Sequence, residues 1–93
     1  MGMERSNPVA LNGFGYMCMR GMGVPQSYPE ALKHFTAAAE QVNQEARFNL
    51  GAMYIGGHGV IKDFAKAIYY FTLAANRGHM LALYNLAMMH LNG

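Results

Sequence analysis

A glycine-rich joint recurs every 36 residues, and a chain with that repeat can only fold as a stack of similar units. Leu50-Gly51-Ala52-Met53-Tyr54-Ile55-Gly56-Gly57-His58-Gly59-Val60, moved back 36 places, falls on Phe14-Gly15-Tyr16-Met17-Cys18-Met19-Arg20-Gly21-Met22-Gly23-Val24. Moved forward, its first part falls on Leu86-Ala87-Met88-Met89-His90-Leu91-Asn92-Gly93. Residues 10–45 and 46–81 are identical at 11 of 36 aligned positions, where average composition gives about two or three by chance. Most shared positions are small or apolar: Ala10 with Ala46, Met17 with Met53, Ala31 with Ala67, Phe35 with Phe71. Small residues let helices approach, and bulky ones fill the space between layers.

Each unit reads as two helices around the joint. Asn7 and Pro8 start the first helix, which runs to about Met19. Asparagine caps a free amide, and proline suits the first turn. Residues 1–7 are a polar lead-in, expected to fray. Gly21 and Gly23 end the helix and turn the chain, since glycine reaches positive φ cheaply. Ser27-Tyr28-Pro29-Glu30 is a capping box with a first-turn proline. The second helix carries Ala31, Leu32, Phe35, Ala38 and Ala39 on one stripe and ends near Gln41-Val42-Asn43. The pattern repeats through a third helix from about Gln44, the Gly57/Gly59 turn, a fourth helix capped by Asp63 and closed by Gly78, and a fifth from Met80 to Leu91. The spacing predicts units at 8–43 and 44–79 and a half unit at 80–93.

Composition narrows the function. Of the 93 residues, 53% are hydrophobic and 13% charged, about half the usual share of charge. The seven basic residues are scattered, whereas a nucleic-acid footprint gathers them on one face. No apolar run approaches the ~20 residues of a membrane span, and no signal peptide is visible at the start. Cys18, the single cysteine, says nothing of the redox compartment. The stop at Asn92-Gly93, in mid-unit, favours a piece of a longer chain.

The joint invites a phosphate-loop reading. Gly56-Gly57-His58-Gly59 lacks the following Lys-Ser/Thr, however, and it lies between helices rather than after a strand. Met17-Cys18-Met19 and Met88-Met89-His90 invite a soft-metal reading. Yet Met17, Met53 and Met89 are equivalent repeat positions, and methionine commonly fills irregular cores. The four histidines have no zinc spacing; His34 and His58 read as surface residues and His90 as half-buried. No nucleophile and base are placed together, so neither an enzyme nor a cofactor is expected.

The motif A-x-x-x-L-G-x-M-Y-x-x-G-x-G-V-x-x-D-x-x-x-A-x-x-Y-F-x-x-A-A-x-x-G-x-x-x-A, read from Ala46 to Ala82, resembles the Sel-one-like repeat family, a relative of the tetratricopeptide class with a longer period. The resemblance covers residues 8–93. It implies an all-α fold, a short right-handed α-solenoid, and a non-catalytic adaptor or scaffold that binds other proteins. Residues 78–90 and 7–16 are also similar to repeats of the adaptor family of endoplasmic-reticulum Hrd-type ubiquitin ligases, Sel-one-L in animals and Hrd three in yeast. That likeness implies a role in ER-associated degradation on the lumenal side of the membrane, with the ligase and misfolded glycoprotein clients as partners. A free-standing bacterial or cytosolic signalling scaffold of the same repeat family is the alternative. Val42 departs from the motif where it has its helix-ending glycine, so the join between the first two units is expected to be looser or shifted. The missing second helix of unit three leaves an uncapped end that implies a partner, a second copy or more of the parent.

The helices that begin each unit are apolar nearly all round. Beside the inward set Ala46, Leu50, Met53 and Tyr54, the third helix carries Phe48, Ala52 and Ile55 on its opposite side, and the fifth carries Tyr84, Met88 and Leu91. Such a helix is buried or contacts something. Two accounts stay open: stacking against the next unit, or a concave partner-binding stripe to which Asn49 and Asn85 add polar contacts.

Overall fold

The computed structural model describes residues 7–91. Five helices follow in order: α1 (Pro8–Arg20), α2 (Tyr28–Glu40), α3 (Gln44–Gly56), α4 (Phe64–Asn76) and α5 (Met80–Leu91). Each packs on the next, and the stack extends 47 × 28 × 19 Å. This is an all-α solenoid, with α1, α3 and α5 opening the units (A-helices) and α2 and α4 completing them (B-helices). Residues 1–6, which hold most of the polar lead-in, and Asn92 and Gly93 lie outside the described residues.

The helix starts use the residues the sequence offers. Asn7 Oδ1 accepts from the amides of Val9 (2.7 Å) and Ala10 (3.4 Å). Ser27 Oγ accepts from Glu30 N–H and Asp63 Oδ1 from Lys66 N–H. Only half of the capping box forms, because Ser27 N–H donates to the Cys18 carbonyl at 2.8 Å. In unit two Asp63 N–H donates to the Tyr54 carbonyl at 3.0 Å. Each A-to-B loop is thereby tied back to the helix it leaves.

Gly21, Gly23, Gly57, Gly59 and Gly78 all have φ between +69° and +90°. Gly59 has a second constraint. A Cβ there would stand 2.6 Å from Tyr28 Cβ and 3.3 Å from its backbone carbon. The unit-two turn is therefore seated directly on the start of α2, which holds adjacent units in register.

The join at Val42 is not shifted. Asn43 N–H donates to Ala38 O as His79 N–H does to Ala74 O, at 3.2 and 3.1 Å. Val42 takes the left-handed conformation itself, with φ +65°. The hydrogen bonds on either side hold a β-branched residue where the repeat elsewhere uses glycine, at a cost of about 1–2 kcal/mol. Val42→Gly should therefore stabilise the domain by about 1 kcal/mol, since the valine is largely exposed. Thermal unfolding reads this as a rise in midpoint; an unchanged or lower midpoint would show that Val42 carries no strain.

Two clusters form the core. In the first, Phe35 with Ala31 and Ala38 of α2 meets Ala46, Leu50 and Met53 of α3. In the second, Phe71 with Ala67 and Ala74 of α4 meets Ala82 of α5, with Phe48, Tyr54 and Ile55 of α3 packed against it. Helix α3 is thus covered on two sides, which accounts for its all-round apolarity. The two central rings lie on glycines: a Cβ on Gly15 would come within 2.7 Å of Phe35, and one on Gly51 within 2.7 Å of Phe71.

Tyr70 spans the units, stacked on Tyr54 with 5.9 Å between ring centroids and packed against the first cluster. Burial first, then the neighbouring Tyr54, Tyr69 and Glu40, raises its phenol above the usual 10.0. The folded state holds this proton more tightly than the unfolded chain. The resulting stability is complete below about pH 10 and falls as pH rises beyond it. Tyr70→Phe should flatten that alkaline decline in denaturant titrations.

Candidate functional site

Two of the candidate binding residues turn out to serve packing. The Phe48 ring lies 5.7 Å from Phe71 and stacks on His79 at 4.8 Å with a 20° interplanar angle. Ile55 packs against the same cluster. Tyr54, grouped by sequence with Ala46, Leu50 and Met53, faces the second cluster rather than the first. Phe48→Ser should cost about 2 kcal/mol of stability by exposing this joint. Denaturant unfolding will read that loss; if the midpoint holds, Phe48 is not a packing residue.

His79 has a role the sequence did not suggest. Its Nδ1 accepts from Ala82 N–H at 3.1 Å, doing for α5 what Asn43 does for α3. Its Nε2 lies 3.0 Å from Glu45 Oε2, and its ring covers Phe48. The alignment of His79 with Asn43 was the available clue. Of the other histidines, His34 is half-buried between Glu30 (3.8 Å) and Phe14, whereas His90 is exposed.

The remaining candidates lie on the A-helices, away from these joints. Asn49 Nδ2 donates to Asn12 Oδ1 at 2.9 Å, a hydrogen bond that bridges α1 and α3. Ala52 is half-buried beside the turn, and Asn85 is half-buried on α5. Tyr84 is 60% exposed, Met88 39% and Leu91 81%. Helix α5 has one packed side, through Ala82, Leu86 and Met89, and no charged residue between Met80 and Leu91. Tyr84, Ala87 and Leu91 hold the repeat positions of Phe48, Gly51 and Ile55, which in unit two receive the Phe71 ring.

Among the described residues, no group of three or more His, Cys, Asp or Glu could hold a metal ion. Among them too, no helix is long and apolar enough to cross a membrane. Among the described residues, the A-helix face presents apolar and amide surface.

Residues 8–43, 44–79 and 81–93 match the Sel1 repeat family. The chain belongs to the Sel1 repeat family. Two solved structures are similar to it. One is a Sel1 repeat protein from Oxalobacter formigenes, with TM-score 0.90 and 33% identity over 94% of this chain and 35% of that one. The other is a protective antigen of uropathogenic Escherichia coli strains that displays an SLR fold, with TM-score 0.91 and 31% identity over 94% of this chain and 19% of that one. The chain therefore spans about a third of one relative and a fifth of the other. No curated protein matches it. Both relatives are bacterial, and the expected likeness to the Hrd-type adaptors is not supported. The Gly78–His90 and Asn7–Tyr16 segments that suggested it fall almost wholly within the matched Sel1 repeats. Sel1 repeat proteins generally act as protein-interaction scaffolds.

Proposed function

We propose that this Sel1 repeat domain is a non-catalytic interaction module that binds another protein across the face made by α1, α3 and α5. The observation that carries the reading is the row Tyr16, Ala52 and Met88, equivalent repeat positions on α1, α3 and α5 that stand outside both core clusters, with Tyr16 and Met88 each 39% exposed. Apolar surface gathered in this way favours a partner, and aromatic side chains make effective anchors. Asn49 and Asn85 add amide donors and acceptors. The bacterial relatives favour a bacterial scaffold over an adaptor of ER-associated degradation, and the compartment follows from whichever setting holds.

The test is site-specific photo-crosslinking in the native cells. A benzophenone side chain at Met88 should capture one discrete protein. The same group at Tyr69, exposed on α4, should not. Capture from Tyr69 alone would move the interface to the B-helices, and capture from neither side would remove the reading.

A further inference from the structure

A cleft of about 400 Å³ opens between the two A-to-B turns, lined by Met19, Arg20, Gln26, Tyr28, Ala52, Met53 and His58. Met19, Ala52 and Met53 give it apolar lining, and Arg20, Gln26 and His58 bring polar side chains that already have contacts of their own. Arg20 lies over the Tyr16 ring at 5.6 Å, with one guanidinium nitrogen 3.2 Å from the phenol oxygen. Gln26 Nε2 donates to the Met19 carbonyl at 2.9 Å. The His58 ring sits 5.1 Å from that of Tyr28 and covers Gly56, where a Cβ would stand 2.5 Å from Cδ2 and Nε2.

The repeat explains how this arrangement arises at a single joint. Arg20 and Gly56 occupy the same position in successive units. Arginine there supplies a cation from unit one. Glycine there leaves the slot in which the unit-two imidazole lies flat.

No acidic side chain lines the cleft. The acids of the described chain are engaged or placed elsewhere: Glu30 with His34, Glu45 with His79, Asp63 at the start of α4, and Glu40 at the end of α2. A guanidinium has five donor hydrogens in a fixed fork that matches a carboxylate. Among the described residues, Arg20 is partnered by a neutral phenol, that of Tyr16. The site thus combines apolar lining with a guanidinium that keeps donor hydrogens beyond its one bond to Tyr16, and no acidic side chain lines it.

We infer that this cleft is an acceptor for an acidic side chain of the partner, an aspartate or glutamate flanked by an apolar residue. The carboxylate meets Arg20 and His58 at the rim. The apolar neighbour lies on Met19 and Ala52. The inference rests on the reading of this domain as a protein-binding module and adds the chemistry that one end of its face selects.

The test is an NMR titration of the isotopically labelled chain with blocked peptides. The probe is acetyl-Ala-Leu-Glu-Leu-Ala-amide, and its comparison has glutamine in place of glutamate. The glutamate peptide should shift the Arg20 side-chain, His58 ring and Met19 and Ala52 methyl signals. The glutamine peptide should bind about tenfold more weakly or worse, and R20Q should lose the difference between them. K33Q, on exposed α2, should retain it. Equal binding of the two peptides would overturn the inference, as would an undiminished preference for glutamate in R20Q. A third arm carries glutamine inside and a free C-terminal carboxylate. Binding of that peptide alone would replace the acidic side chain by a chain terminus. Photo-crosslinking from Met88 in the wild-type chain separates the two levels: capture there with no preference for the glutamate peptide removes the cleft and leaves the interaction module standing.

Discussion

Gly59→Val should cost the domain about 2–5 kcal/mol, out of the 5–15 kcal/mol typical of a whole domain. Two effects combine. The residue has φ +73°, where a β-branched side chain costs about 1–2 kcal/mol. Its Cβ would also stand 2.6 Å from Tyr28 Cβ, with the Tyr28 backbone immediately behind, so the neighbour cannot swing away. Overpacking of that kind costs about 1–3 kcal/mol. Gly23 separates the two. It has φ +80°, but the nearest group to its Cβ position is the mobile end of Met17 at 4.0 Å. Gly23→Val should therefore lose only the backbone share, about 1–2 kcal/mol. Urea unfolding of both variants makes the comparison; equal losses would mean that the turn is not seated on α2 as described.

Phe71→Ala should be as damaging, at about 3–5 kcal/mol, because the ring is fully buried and every face of it is in contact. Its coupling to Gly51 gives a sharper outcome. In the wild-type background Gly51→Ala drives a methyl to within 2.7 Å of the ring and should destabilise by about 1–3 kcal/mol. With Phe71 reduced to alanine the obstruction is gone, and the same change should stabilise α3 by up to about 1 kcal/mol through helix propensity alone. The effect of one methyl thus reverses sign, a coupling that a double-mutant cycle reads directly. Additive behaviour would show that the ring does not rest on Gly51.

The architecture was legible because the same pattern is written more than once. The glycines of the A-to-B turns and the central phenylalanines have copies 36 residues away, so a weak local indication gained a second witness. Val42 is where that logic misled. The missing glycine pointed to a shifted join, but backbone hydrogen bonds on both sides impose the left-handed conformation on whatever residue stands there. The candidate face was harder to read. Helical spacing puts Phe48 and Leu50 on different sides of α3, but it does not say that both sides are covered. That follows from the placement of α2 and α4. His79 was invisible as a joint because its three contacts, with Ala82, Glu45 and Phe48, come from three directions and only the first is local. The Arg20–His58 cleft likewise brings together residues of successive units.

The unequal covering of the A-helices also sets an order in which the molecule comes apart. Helix α3 is held from both sides, whereas α5 is held by α4 and the His79 joint alone. In a stack whose members touch only their neighbours, opening one end does not require opening the middle. Pulled or warmed, the chain should peel from its C-terminal helix inward. Amide exchange should then run fastest along α5 and slowest around Leu50 and Met53, a gradient along the stack that a single melting temperature would hide.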